Sequence, residues 1–419
     1  MIIAISINYL IGIGIEKTER YVKKTMLIVG IITNLGILGY YKYFEFLLSN
    51  VNLALIKFDQ PILANESILL PLGISFYTFQ NISYIIDVFR GEIKAQYNWI
   101  SYTLYVTFFA HLVAGPVVRY AHISAEITDR NTNLDLFFEG TKRFIVGSGK
   151  KIIIANPVGL VADSIFDTHA ECGFFVYWLG ILCYAIQIYF DFSGYSDMAI
   201  GIARMFGFYF HENFNMPYLA TSVTDFWRRW HISLSTWFRD YVYIPLGGNK
   251  FGKLNQLRNI FIVFFLTGLW HGASWNFIIW GVIHGVFMIL EKIWLLKTLE
   301  KVPVIVSRIY LLSFILLTWV LFKANNMTQA WEYLQNMFAF SSIGDLSMLS
   351  LLDLEVSISI IAGIILAFGI HIKIFEYLKE KISNQLLFIF QYAYLICLLL
   401  LCIINISIES YNPFIYYRF

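Results

Sequence analysis

Apolar runs of roughly 18 residues or more, long enough to cross the hydrocarbon core of a bilayer, recur from one end of this chain to the other. The clearest are Thr25–Leu48, Ser101–Val118, Phe174–Phe190, Val304–Phe322, Ser357–His371 and Leu386–Ile408. Less uniform ones lie around Ile68–Val88, Arg143–Val161, Asn259–Trp270 and Asn276–Leu290. Together they predict about ten or eleven crossings or partial crossings. Composition closes off the soluble alternative. With 58% hydrophobic and 14% charged residues, the chain has too few charges to cover a water-facing surface, which usually needs about a quarter. The expected fold is all-α, a polytopic transmembrane helical protein. No internal repeat or low-complexity linker divides it, so residues 1–419 are read as a single membrane domain with a C-terminal aromatic tail at 411–419.

A net charge of +2 gives no case for nucleic acid. Aromatic residues are abundant where spans meet polar segments, as an interfacial belt in contact with membrane lipids requires. The four cysteines form no CxxC pair, and Cys397 and Cys402 lie inside an apolar run, so they read as small buried hydrophobes. The opening MIIAISINYLIGIGI lacks a basic start and a small-residue cleavage site, and reads as a retained or partial span.

Four polar stretches interrupt the pattern: 16–24, 90–98, 211–253 and 376–385. The third carries Arg228, Arg229, Arg239, Lys250 and Lys253, which favours the cytoplasmic face. Between Asp225 and Tyr241 it mixes large aromatics with charges. That pattern suits a helix lying in, or dipping into, the membrane interface, and surface anchoring alone would explain it equally well.

Eight histidines occur, and most need no function. His122, His169 and His211 sit in polar segments, His371 closes a span, and His111 in FFAHLVAGPVVR reads as a buried structural group. His271 differs. It stands between two tryptophans in FLTGLWHGASW, where an ionisable group is expensive and faces a cavity or a partner. Gly268 and Gly272 leave space for a ligand or another backbone. An imidazole takes and returns protons near neutral pH, so catalysis and a structural hydrogen bond both remain open on the residues alone. His284 is its natural decoy. Asp191 and Asp197, at apparent membrane depth, read as members of structural ion pairs, with Arg204 at hand. No HxxxH, HExxH, GxSxG, Walker or GxGxxG pattern appears, so no metal or cofactor site is expected.

Six stretches carry a resemblance: PLGISFYTFQNISYIIDVFRG (71–91), FFAHLVAGPVVR (108–119), DFSGYSDMAIGIARMFGF (191–208), FWRRWHISLSTWFRDYVYIPLGGNK (226–250), LTGLWHGASWNFIIWGVIHG (266–285) and NPFIYYRF (412–419). In this order they resemble the membrane-bound O-acyltransferases, in particular the bacterial polysaccharide O-acetyltransferases of the alginate and peptidoglycan type. The resemblance implies a helical fold with interfacial or re-entrant helices around a central funnel. It implies a catalytic histidine at His271 and a companion at His231. Arg228, Arg229 and Arg239 would then meet a negatively charged donor, and Trp230 and Trp237 would shape the acyl slot. Relatives of this kind carry further apolar segments before the stretch found here at Asn8–Gly12, so the first span is expected to be incomplete.

The function so implied is acetyl transfer at the bacterial cytoplasmic membrane. A cytoplasmic thioester, acetyl-CoA, gives its acyl group for O-acetylation of an extracytoplasmic polysaccharide or peptidoglycan. A periplasmic or surface serine-type O-acetyltransferase is the expected protein partner. Tyr416 in the aromatic tail offers a phenol as an acyl relay. The rival enzyme reading is D-alanyl transfer to teichoic acid from a carrier protein. The rival from another class is a transporter or scaffold of a polysaccharide export complex.

Overall fold

The computed structural model describes residues 1–64, 68–168, 172–340 and 350–408. They form helices and connecting loops, with no strand among the described residues. One layer holds α1 (Ile2–Lys17), α2 (Arg20–Leu38) with its continuation α3 (Phe44–Lys57), and α4 (Ile74–Arg90). α2 and α3 form one 38-residue rod, interrupted by a π-helical turn at Gly39–Tyr43. In the α1–α2 seam the buried side chains of Asn8 and Asn34 exchange amide hydrogen bonds of 3.0 and 2.7 Å. Each satisfies the other, which lets polar groups act as glue between otherwise apolar helices.

α5 (Trp99–Thr107) and α6 (Tyr120–Thr128) flank that layer. The run Ser101–Val118, expected as a crossing, is not one: the helix stops at Thr107 and residues 108–119 fold as turns. Phe108 is already extended, and the segment does not resume a helix: Gly115 takes φ +101°, a conformation closed to most side chains, and Pro116 has no N–H with which to continue one.

The second layer is α7 (Leu134–Gly149), passing through a π-helical turn at Lys150–Ala155 into α8 (Asn156–Asp167), antiparallel to α9 (Phe174–Met205). Glycines seven residues apart bring the backbones together. A Cβ on Gly140 would lie 2.4 Å from the carbonyl oxygen of Gly201, and one on Gly147 would lie 2.6 Å from that of Gly194. α9 is thereby buried as the central rod.

The segment α10 (Val223–Trp227) and α11 (Ile232–Phe238) leads to α12 (Lys253–His271), which forms a hairpin with α13 (Trp275–Leu290). α14 (Leu296–Leu299), α15 (Val304–Lys323) and α16 (Met327–Met337) follow, then α17 (Leu354–Ala367), α18 (Ile370–Lys381) and α19 (Asn384–Ile408). By length and composition six helices among the described residues suit a membrane span, or seven if α17 and α18, bent by 75°, count as one. The larger number expected from the sequence includes partial crossings. α1 and α4 are only 16 and 17 residues long, and α12 opens with the polar Lys253, Asn255, Gln256 and Arg258.

Candidate active site

The stretch expected as one interfacial helix is broken and largely buried. Ser222 caps α10, its hydroxyl accepting from the amide of Asp225 at 3.0 Å. The buried carboxylate of Glu291 holds the same end, accepting from the amides of Val223 (2.6 Å) and Thr224 (2.8 Å) and from the Thr224 hydroxyl (2.7 Å). After Trp230 the chain reverses at His231, which takes the left-handed conformation, φ +43°. That is a strained backbone for a residue with a Cβ, and such strain concentrates at functional sites.

An extended segment around Asn213 braces the reversal. The amide of Ile232 donates to the Asn213 carbonyl, and that of Asn215 to the Arg229 carbonyl, both at 2.9 Å. The Asn213 side-chain oxygen accepts from the hydroxyl (2.8 Å) and amide (3.2 Å) of Ser233 and lies 3.1 Å from His231 Nδ1. Because an amide oxygen only accepts, Nδ1 carries the proton of neutral His231 and Nε2 carries the lone pair. That Nε2 is buried and has no hydrogen-bond partner among the described residues.

His271 is the last residue of α12 and is also buried. Its ring packs 5.1 Å from Trp280 and 5.1 Å from Phe322, and 4.9 Å from the adjoining Trp270. Trp270 in turn lies 6.2 Å from the ring of His231. The carbonyls that end α12 are capped from the π-helical turn of the first rod. Lys42 Nζ donates to the Trp270 oxygen (2.5 Å) and the Tyr43 hydroxyl to the Leu269 oxygen (2.8 Å).

Two cavities follow one another along α12. One, of about 500 Å³, borders Gln256, Ile260, Val263 and Thr267 and is also lined by Arg228, Arg239 and Lys292. The other, of about 410 Å³, lies just past the helix end and is lined by Gly272, Ser274, Phe322, Lys42, Lys323 and Gln187. His271 stands between them in the chain, roughly 22 Å beyond Gln256 at 1.5 Å per residue.

The expected site residues fall into distinct places. His271 and His231 come together around Trp270. Arg228 and Arg239 border the first cavity, Arg239 also pairing with the adjoining Asp240 at 2.7 Å, whereas Arg229 borders neither cavity and pairs with Asp225 at 2.9 Å. Trp230 and Trp237 border neither cavity. Trp230 packs among Phe226, Phe214 and Trp319, and Trp237 stacks on Phe79 at 3.7 Å. Gly268 and Gly272 admit α13 rather than a ligand: a Cβ on Gly268 would lie 2.4 Å from the Phe277 carbonyl oxygen, and one on Gly272 would lie 2.2 Å from the Phe277 ring. His284 accepts from Trp227 Nε1 at 3.1 Å, and His111 Nε2 meets the Tyr105 carbonyl at 2.9 Å. Asp191 pairs with Lys151 and Asp197 with Arg143 and Lys150, while Arg204 pairs with Glu139 instead. Tyr416 and the rest of the aromatic tail lie outside the described residues.

Sequence reasoning missed Asn213, Glu291 and Lys42. Lys42 left a signal, a cation within the apolar run Thr25–Leu48; Asn213 left none beyond its closeness to His231 in the chain.

Fold and site define a polytopic helical membrane protein with two buried histidines around one tryptophan. Residues 88–330 match the membrane-bound O-acyltransferase family. The chain is similar to a probable alginate O-acetylase of Pseudomonas aeruginosa, 42% identical over 86% of this chain and 70% of that protein. It is similar to a peptidoglycan O-acetyltransferase of Helicobacter pylori, 35% identical over 81% of this chain and 70% of that protein. A teichoic acid D-alanyltransferase of Bacillus subtilis is 32% identical over 52% of this chain and 58% of that protein. The chain belongs to the membrane-bound O-acyltransferase family and is a multi-pass membrane O-acyltransferase.

Proposed function

We propose that the protein transfers acetyl groups from cytoplasmic acetyl-CoA for O-acetylation of an extracytoplasmic polysaccharide or peptidoglycan, at the bacterial cytoplasmic membrane. The observation that carries this reading is the placement of His271 and His231 around Trp270, with one cavity before and one after His271 along α12. The cavity with Arg228, Arg239 and Lys292 takes the polyanionic donor from the cytoplasm, since cations suit phosphates. The cavity past His271 admits the acceptor hydroxyl from the opposite face.

His271 then acts as general base. It takes the proton from the hydroxyl as the oxygen's lone pair forms a bond to the thioester carbonyl carbon, and the carbonyl electrons move onto oxygen. Collapse re-forms the carbonyl, breaks the C–S bond and returns the proton from His271 to the departing thiolate. His231, with Nε2 as acceptor, binds and orients the donor end. A serine-type O-acetyltransferase outside the membrane completes delivery to sugar. Tyr416 relays the acyl group to it, because a phenol with pKa about 10 ionises far more readily than a sugar hydroxyl.

Likeness to O-acetylating relatives over most of the chain favours acetyl over D-alanyl transfer, where the likeness covers about half. Purified protein in lipid nanodiscs, given acetyl-CoA labelled in the acetyl group and the serine-type partner, tests the reading. Label should reach the partner without any carrier protein, and Tyr416→Phe should block it. Dependence on a D-alanyl carrier protein would overturn the acetyl assignment.

A further inference from the structure

We propose that Lys42 is a catalytic residue, its ammonium stabilising the oxyanion that forms when the thioester carbonyl is attacked beside His271. The assignment rests on acyl transfer at His271 and names a charge that such transfer needs.

A cation within a membrane rod is costly and calls for a reason. The three neutral partners of Lys42 are the Trp270 carbonyl oxygen at 2.5 Å, the Ser75 hydroxyl at 3.1 Å and the face of the Trp270 ring at 5.7 Å. Among the described residues no carboxylate lies within ion-pair distance of it. The other lysine of the same cavity, Lys323, is paired with Asp163, and Glu45 accepts from the amide of Ile68.

Capping α12 does not require the charge. Tyr43, the next residue, caps the neighbouring Leu269 carbonyl with a neutral hydroxyl. The π-helical turn Gly39–Tyr43 is a local feature that often marks functional sites, and here it carries both capping side chains to the end of α12. Lys42 also lines the cavity beyond His271. A positive charge held by neutral partners is preorganised for negative charge that appears only during reaction.

In the step already written, the carbonyl electrons displaced by hydroxyl attack reside on oxygen until the C–S bond breaks. Lys42 donates a hydrogen bond to that oxygen and keeps its own proton throughout. Loss of one such donor typically lowers kcat by about 10²–10³-fold.

The test compares wild type, His271→Ala, Lys42→Met, Lys42→Gln and Lys42→Cys in nanodiscs with acetyl-CoA. Lys42→Met and Lys42→Gln should lose about a hundredfold or more in kcat, with donor KM little changed. Lys42→Gln keeps a donor for the Trp270 carbonyl and serves if Lys42→Met does not fold. Alkylation of Lys42→Cys with 2-bromoethylamine rebuilds an ammonium at the same reach and should recover at least about tenfold in kcat, a large part of one oxyanion contact. Bromoethane, which adds the bulk without the charge, should recover nothing; treated wild type controls for the native cysteines. Equal recovery by both reagents, or a near-normal kcat in both uncharged variants beside an inactive His271→Ala, overturns the assignment of Lys42 alone. Full activity in His271→Ala overturns His271 as the seat of transfer and Lys42 with it.

Discussion

The ring of His231 stands 6.2 Å from that of Trp270, although the two residues belong to different segments of the chain. Trp270 is the chain neighbour of His271, so one indole spaces the two imidazoles and fixes their relation. The indole is itself held by Phe76 at 5.7 Å and Phe79 at 5.4 Å, and its carbonyl by Lys42. Through these contacts the first rod, α4, α11 and α12 all bear on the same pair of histidines.

Replacing His271 by alanine should lower acetyl transfer by about 10²–10⁴-fold, the usual worth of a positioned general base. His231→Ala should instead raise donor KM with a smaller fall in kcat, as expected for binding made equally in ground and transition states. Steady-state kinetics in nanodiscs separate the two. A His271→Ala protein that keeps more than about a tenth of wild-type kcat would sink the base assignment.

Asn213 predicts a different phenotype. Asn213→Ala removes the acceptor shared by His231 Nδ1 and the Ser233 hydroxyl, leaving buried donors without their partner. An unsatisfied buried group costs about 1–3 kcal/mol, so the melting temperature should fall together with activity. Thermal unfolding followed in detergent gives the check. An unchanged melting curve with unchanged kcat would show that the Asn213 brace does not hold His231.

The arginines divide by geometry. Arg228→Glu, Arg239→Glu and Lys292→Glu place negative charge in the larger cavity and should raise the KM for acetyl-CoA. The effect should shrink with added salt, since charges in water are screened over about 8 Å at physiological ionic strength. Arg229→Glu breaks the half-exposed pair with Asp225 instead, worth at most about 1 kcal/mol, and should leave donor KM alone. A KM raised by Arg229→Glu and untouched by the other three would reverse this division.

Much of this is legible in the sequence. Thr25–Leu48 and Leu386–Ile408 lie within rods, and His271 was conspicuous because its surroundings are improbable for an imidazole. Ser101–Val118 misled because hydropathy does not register backbone conformation: α5 ends at Thr107, and Gly115 and Pro116 keep the rest from resuming a helix. The resemblance made Trp230 and Trp237 walls of an acyl slot, whereas in the fold they pack against Trp319 and Phe79 in the core. Lys42 was visible as an intramembrane charge. Its target was not, because the Trp270 carbonyl lies 228 residues away in the chain and only tertiary packing joins them. The glycines of α12 raise the same difficulty, since spacing alone does not tell a ligand's approach from a helix's.

That last ambiguity yields a prediction. A Cβ on Gly281 would lie 2.4 Å from the Phe264 carbonyl oxygen and 2.8 Å from the Gly268 Cα, all backbone atoms that do not swing aside. Gly281→Ala must therefore part α12 from α13, and overpacking of this kind costs about 1–3 kcal/mol. It also moves His271, at the end of α12, relative to Trp280 on α13, so kcat should fall although residue 281 touches no substrate. Gly36→Ala is the matched control: it lies within α2 with nothing inside 4 Å of the added Cβ. Losing glycine's excess backbone freedom there should stabilise the helix by about 0.5–1 kcal/mol and leave kcat unchanged. Melting temperature and kcat measured on both variants decide the matter. If Gly281→Ala melts and turns over like wild type, close approach of the two helices is not what sets the position of His271.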